Sequence, residues 1–353
     1  MKHIRKSEDG DIIDCVEIYK QPSLNHPALK NHTIQLAPTF FSKTRKVFDD
    51  AKKEDIAMTI TSQRWQKSGS CPKGTVPIRR TQKRNPNKDD FHAYGRKTAS
   101  NMKNEVGDLK YTTNSTNSIA NHSVALIETV GYSYSGAKVD IKVWTPYVEK
   151  EDEYSTSHVA IQNGGLHDFE LVETGWAADG SKRTGCFDLT CPGFVQVNHE
   201  IALGGAIYPI SNPNGLPYQI TVYIFKDPTT KNWWVNYGES INIGYWPGEL
   251  FMLLKYQGIM VKWGGEVYSS KVKTHPGHTA TGMGSGNTPP SIFENCGTMK
   301  RMRVEQNSQP LMIPEWSTTV VDEYRCYGAL YEVDYIPDPI FYYGGPGRSP
   351  WCP

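Results

Sequence analysis

Two glutamates in the chain stand where a strand would normally bury an apolar side chain. Glu266 lies in V-K-W-G-G-E-V (261–267), and Glu173 lies in D-F-E-L-V-E-T-G-W (168–176). Each is within three positions of a glycine and a tryptophan, on a segment whose apolar residues alternate. Carboxylates brought together across a concave sheet cannot both ionise easily. One keeps its proton and serves as acid while the other serves as base. Such a pair can activate water against a peptide bond or a glycosidic bond. Spacing alone is also met by two unrelated strand glutamates in solvent. Other chemistries have less to stand on. G-x-S-x-G, H-E-x-x-H and G-x-x-x-x-G-K-[ST] do not occur. His167 and Asp168 are adjacent but lack a Ser or Cys context, and G-M-G-S-G at 282–286 reads as a loop. No C-x-x-C pair and no zinc-type His spacing is present, so neither a metal nor another cofactor is expected.

The elements that would carry these groups are mostly strands. With 31 Gly, 23 Pro and an 11% aromatic share, the 353 residues suit short strands joined by turns. S-V-A-L-I-E-T-V (123–130), A-K-V-D-I-K-V-W (137–144), F-V-Q-V-N-H-E-I-A-L (194–203) and Y-Q-I-T-V-Y-I-F-K-D (218–227) all alternate. One helix is predicted over P-G-E-L-F-M-L-L-K-Y-Q-G (247–258), opened by Pro247 and stopped by Gly258. The clusters Trp233-Trp234 and Tyr245-Trp246-Pro247 are core, or walls for a stacked ring. Residues 1 to about 85 are polar and proline-punctuated, ending near R-R-T-Q-K-R-N-P-N-K, and N-S-T-N-S-I-A-N-H-S reads as linker. The expected fold is mostly β: a β-sandwich preceded by a smaller domain.

The net charge of +1 hides a division, since residues 1–110 hold 22 Lys and Arg against 13 Asp and Glu, leaving 16 against 24 for the rest. Opposite charges of that size attract near neutrality and lose their hold as carboxylates protonate in acid, so salt is expected to loosen the two parts. Without an aromatic-studded basic motif or a helix-turn-helix pattern, nucleic acid is not expected as a partner. Cys186 with Cys191 and Cys326 with Cys352 read as disulfides, which implies an oxidising, secretory setting. Sequons at Asn31, Asn114 and Asn121 agree. The first twenty residues are too charged for a signal peptide, and no apolar run of ~18 residues suggests a membrane span.

Several motifs are more specific. D-G-D-I-I-D-C-V-E-I-Y-K-Q-P-S-L-N-H-P-A-L-K-N-H (9–32) and W-Q-K-S-G-S-C-P-K-G-T-V-P-I-R-R (65–80) resemble the activation peptide of the plant neprosin family. Y-S-G-A-K-V-D-I-K-V-W-T-P, G-C-F-D-L-T-C-P-G-F-V-Q, N-W-W, I-G-Y-W-P, W-G-G-E-V and F-Y-Y-G-G-P-G-R-S-P-W-C-P resemble its peptidase domain. The resemblance implies a bent pair of antiparallel sheets and a secreted glutamic endopeptidase that cuts after proline and is made as an acid-activated zymogen. Residues 1–88 would be the pro-domain and intramolecular inhibitor, 89–121 a linker with the processing region, and 122–353 the peptidase domain. Carried onto this chain, the catalytic pair is Glu173 and Glu266, with Glu266 taken as the base. Trp176, Trp263, Tyr245 and Trp246 are candidate walls of a proline-sized pocket for proline-containing peptide or protein substrates. Disulfides Cys186–Cys191 and Cys326–Cys352 are implied, with Cys15–Cys71 in the pro-domain and Cys296 unpaired. The chain departs from the family pattern between V-E-T-G-W and G-C-x-x-x-x-C, where only A-A-D-G-S-K-R-T (177–184) stands in place of a longer segment. A missing strand there would favour the alternative: an inactive extracellular protein that keeps the fold and binds.

Overall fold

The computed structural model describes residues 3–39, 59–80, 121–165, 169–179, 193–289, 295–334 and 336–353, and in it the polar N-terminus is folded. Strands β1 (His3–Lys6), β2 (Ile12–Glu17) and β5 (Thr75–Arg79) form an antiparallel sheet in the order β1-β2-β5. Two short strands, β3 (Thr59–Ile60) and β4 (Ser62–Gln63), precede β5. A unit this small cannot bury much apolar surface, so it is stapled. A disulfide joins Cys15 and Cys71 across a sequence separation of 56, beside buried Ile13 and Trp65. Closing a loop of that length stabilises by roughly 4 kcal/mol.

The rest of the chain supplies β6 (His122–Lys142), β7 (Tyr154–Gly164), β8 (Phe169–Asp179), β9 (Val195–Gln196), β10 (Ile207–Tyr208), β11 (Tyr218–Lys226), β12 (Trp233–Tyr237), β13 (Ile241–Trp246), β14 (Gly258–Tyr268), β15 (Gly297–Gln306), β16 (Thr318–Val321), β17 (Gly328–Glu332) and β18 (Ile340–Gly344). The two alternating stretches expected at 123–130 and 137–144 fuse into β6, a single strand of 21 residues. Its first part pairs with β14 and β16, and β14 leads on to β7 and β8. Its second part pairs with β11 and β15, which lead to β12, β13 and β9 on one side and β18 and β17 on the other. The strand therefore belongs to both layers. Gly131, at φ +102°, and register shifts against β14 and β15 accommodate the bend. This is the bent antiparallel architecture expected. The main core fills the space between the layers with Val139, Ile141, Val159, Ile161, Trp233, Trp263 and Phe341 among others. A second disulfide, Cys326–Cys352, pins the C-terminus under it. Cys296 is buried and belongs to neither of these disulfides, and burial pushes its thiol up to about 11.

Two sequence expectations fail. No helix forms over 247–258; the segment holds a 3-10 turn at Gly248–Leu250 and a further turn in which the Leu253 carbonyl accepts from the Tyr256 and Gln257 N–H groups. The backbone N–H groups of Met252, Leu253 and Leu254 donate to the Glu170 carboxylate at 2.6, 2.8 and 2.8 Å, and the Leu254 carbonyl accepts from Trp233 Nε1 at 3.0 Å. Tertiary partners thus satisfy groups a helix would pair internally, while Leu254 enters the core. The strand expected at 194–203 shrinks to β9. Beyond it Asn198 Oδ1 turns the chain by accepting from the N–H groups of Glu200 and Ile201.

The N-terminal unit docks on β9–β13. Two glutamines imitate strand pairing. Gln21 donates to the Gln196 carbonyl at 3.0 Å and accepts from its N–H at 2.8 Å, and Gln63 does the same at Ala202 at 2.6 and 2.8 Å. β3 pairs with β11 and β4 with β10. Ile18, Leu29, Ile34 and Val76 share a buried cluster with Val195, Tyr223, Phe225, Trp234 and Tyr245. Across this contact His32 Nδ1 lies 3.8 Å from Glu249. Lys20, Lys67, Arg79 and Arg80 form ion pairs with Glu17, Glu8, Asp11 and Asp14 of their own unit. Amides, apolar burial and the Asp227 carboxylate, which accepts from Gln35 and Thr39, join the two parts.

Candidate active site

β14 runs between β6 and β7, with Glu266 opposite Val124 on one side and Thr156 on the other. Strand alternation sends Trp263, Gly265 and Val267 to the core and Glu266 to the opposite face. The glycine pair before it now has a reason. A Cβ on Gly265 would lie 2.6 Å from Met283 Cγ and 2.7 Å from the Tyr343 ring, and Gly264 adopts φ +149° where a Cβ would meet the Ala125 carbonyl at 2.3 Å. Glu173 sits on β8 opposite Ala160 of β7. Two residues on, Gly175 lies opposite His158, and a Cβ there would be 1.9 Å from the Ser157 carbonyl. The glycines of V-E-T-G-W and W-G-G-E-V let neighbouring strands close tightly beside each glutamate.

Following the registers across β6, β14, β7 and β8, His122, Tyr268, Glu266, Tyr154, Thr156, His158 and Glu173 share one face. His122 Nδ1 donates to Glu266 Oε1 at 2.7 Å, and the Tyr154 hydroxyl donates to the same oxygen at 3.5 Å. Tyr154 stacks on Tyr268 with ring centroids 5.1 Å apart. His158 Nε2 lies 3.8 Å from Glu173 Oε2, while its Nδ1 pairs with Thr156 Oγ1 at 3.1 Å. Burial differs between the two glutamates: 3% of the Glu266 side chain is exposed and 25% of Glu173. The Tyr154 phenol is held well above its ordinary value, by burial foremost and then by the negative charges of Glu266 and Glu173.

The aromatic candidates fall elsewhere. Trp263 and Trp176 are core residues on the reverse face of the same strands, and Trp176 Nε1 donates to the Lys142 carbonyl at 3.0 Å. The period of two that turns the glutamates one way turns these rings the other. Trp246 packs its ring edge-on to Phe194. Tyr245 is fully buried beneath the N-terminal unit, where its hydroxyl accepts from the Gln35 N–H and pairs with His32 Nε2, both at 2.8 Å. Burial lowers the pKa of His32, opposed by the charge of Glu249 at 3.8 Å. Asn31 and Asn121 are exposed, whereas Asn114, Cys186, Cys191, His167, Asp168 and the processing region lie outside the described residues, as does most of 177–184. Sequence reasoning passed over His122, Tyr154, Tyr268 and His158. Tyr268 carried a signal, two residues beyond Glu266 on an alternating strand; the other three are brought in by strand pairing alone.

β6 also relates this face to the docked unit. At both ends it turns odd-numbered residues such as Ala125, Ile127, Val139 and Ile141 into the core. Val124, opposite Glu266, and Lys138, opposite Tyr223 of the docking cluster, are therefore on its other side. The glutamates and the N-terminal unit address one side of the shared strand.

A bent antiparallel sandwich with paired strand glutamates and a docked N-terminal unit has the organisation of a peptidase precursor. The neprosin family model matches residues 151–346, and the neprosin activation peptide matches residues 4–126. The chain belongs to the neprosin family, a family of peptidases, and carries that family's pro-domain.

Proposed function

We propose that the chain is the zymogen of a glutamic endopeptidase that cuts after proline, with Glu173 and Glu266 as its catalytic pair. The observation that carries this reading is the placement of both glutamates on one face of adjoining strands, each within 4 Å of a buried imidazole. One glutamate takes a proton from the attacking water. The protonated partner hydrogen-bonds the developing oxyanion and then donates to the leaving amine. Tyr154, kept protonated by its surroundings, offers a further donor beside Glu266. The stacked Tyr154–Tyr268 pair beside Glu266 is the aromatic wall nearest the reacting atoms. Tyr245 belongs to a surface that opens once the pro-domain leaves, whereas Trp246, next to it on the strand, packs on Phe194 and the core.

Release in acid has a local basis in His32. Tyr245 accepts from the Gln35 N–H and gives its own proton to His32 Nε2, which requires a neutral imidazole. Because the docked value is depressed, docking is fully supported above the ordinary histidine value near ~6.5 and weakens as pH falls through the lowered one. The disulfides and exposed sequons Asn31 and Asn121 suit secretion.

The test is mass spectrometry of a proline-containing peptide incubated with acid-treated protein, beside Glu266→Gln and Glu173→Gln. Cleavage after proline that both variants lose is expected. The short segment after Trp176 favours a second reading, an inactive extracellular binding protein, and no cleavage by folded, processed protein would establish that one.

A further inference from the structure

Resting on the functional reading above, we propose that His122 is a positioning residue that keeps Glu266 the ionised member of the pair, making Glu266 the base and Glu173 the acid. His122 opens β6 and reaches Glu266 because strand pairing sets it opposite Tyr268, two residues along β14 from the glutamate. Both side chains are 3% exposed and 2.7 Å apart. A carboxylate withdrawn from water is costly to keep charged unless a donor or a positive group adjoins it, and His122 supplies the donor at 2.7 Å and, when protonated, the positive group as well.

The second glutamate has a weaker arrangement. Its neighbouring imidazole, His158, is 3.8 Å away and has Nδ1 paired with Thr156. Among the described residues, the titratable and charged groups on the Glu266 face include His122 and Glu128 from β6, Tyr154 and His158 from β7, Glu173 from β8, and Tyr268 and Lys262 from its own strand. Lys262 Nζ, four residues away, donates to Gln162 at 2.9 Å. Tyr154 donates to the same oxygen as His122, adding to the ionised form. With like charges in one neighbourhood, the carboxylate with the closer cation ionises first, and the proton stays on the other.

Two measurements on the full-length, acid-treated protein test this. In the first, the pH profile of kcat/KM is recorded for wild type, His122→Ala and His122→Asn, with near-UV circular dichroism as the check on folding. Loss of the cation should move the acid limb upward by about one pH unit or more. His122→Asn, which restores an N–H near the Nδ1 position without charge, should recover rate on the plateau and leave the limb displaced. In the second, imidazole titrations are followed by 15N NMR in wild type and Glu266→Gln, with His122 assigned by its absence in His122→Asn. Its titration should fall by about one unit or more in Glu266→Gln. A uniform loss of rate with an unmoved limb, or an unmoved His122 titration, overturns the proposal while wild-type cleavage still upholds the functional reading. Absence of cleavage by wild type at every pH defeats both.

Discussion

Replacing Asp227 with asparagine should loosen the pro-domain by an amount the structure allows to be worked out. Asp227 is fully buried, and burial alone would raise its carboxyl. The Thr39 hydroxyl and N–H, the Gln35 amide and the Thr230 N–H reverse that and hold it at about 2, against an ordinary value of 3.8. At ~1.4 kcal/mol per unit, the preference for the charged, accepting form is about 2 kcal/mol. The bonds divide between the two oxygens. Oδ1 accepts from Thr39 Oγ1 and the N–H groups of Thr229 and Thr230, and Oδ2 accepts from Gln35 Nε2 and the Thr39 N–H. Asparagine can keep the first set, but its amide would face the two nitrogen donors of the second. The loss thus falls on the pro-domain contact and spares the β11–β12 turn. Amide hydrogen exchange of the intact chain at pH 7 is the assay. Losing the two Oδ2 hydrogen bonds, at about 1 kcal/mol each, should speed exchange through residues 32–39 by roughly 30-fold, with β11 and β12 unchanged. Unaltered exchange at 32–39, or equal acceleration across the molecule, would refute the reasoning. The sign in acid follows from the depressed value: this clamp is complete above about 3.8 and is lost as pH falls toward 2, so it outlasts His32 in mild acid.

Two further outcomes are expected. His32→Gln offers Tyr245 an acceptor that does not titrate, so pro-domain release followed against pH should move its midpoint downward; an unmoved midpoint removes His32 from the trigger. Gly265→Ala places a Cβ against Met283 and the Tyr343 ring, which overpacks the core by about 1 to 3 kcal/mol and shifts the strand carrying Glu266. Thermal denaturation should show a lowered Tm and peptide assays a reduced rate, whereas wild-type values in both would mean β14 absorbs the methyl group without strain.

Much of this protein is written locally. Alternating apolar residues predict the strands, and β6, β11 and β14 appear where the pattern is regular, because burying one face of a sheet imposes a period of two on any chain. The same period carries Trp263 and Glu266 to opposite faces, so the tryptophan that seemed to flank the site belongs to the core. The segment 247–258 shows where local signals give out. Proline and glycine punctuate it as a helix, but the Glu170 carboxylate and the pocket for Leu254 come from strands distant in sequence, and their hydrogen bonds and burial outweigh a weak propensity. The glutamates and their glycines are legible as a pattern. Their surroundings are not, since His122, Tyr154 and His158 reach them only through the registers of four strands, and which residues face each other across a sheet is decided when the whole sheet assembles. By itself the sequence determined a mostly β protein with two paired-carboxylate motifs and a separate N-terminal unit. The tertiary structure alone decided which imidazole meets which carboxylate, and that the pro-domain is held by buried amides and Asp227, because those contacts join residues that no local spacing relates.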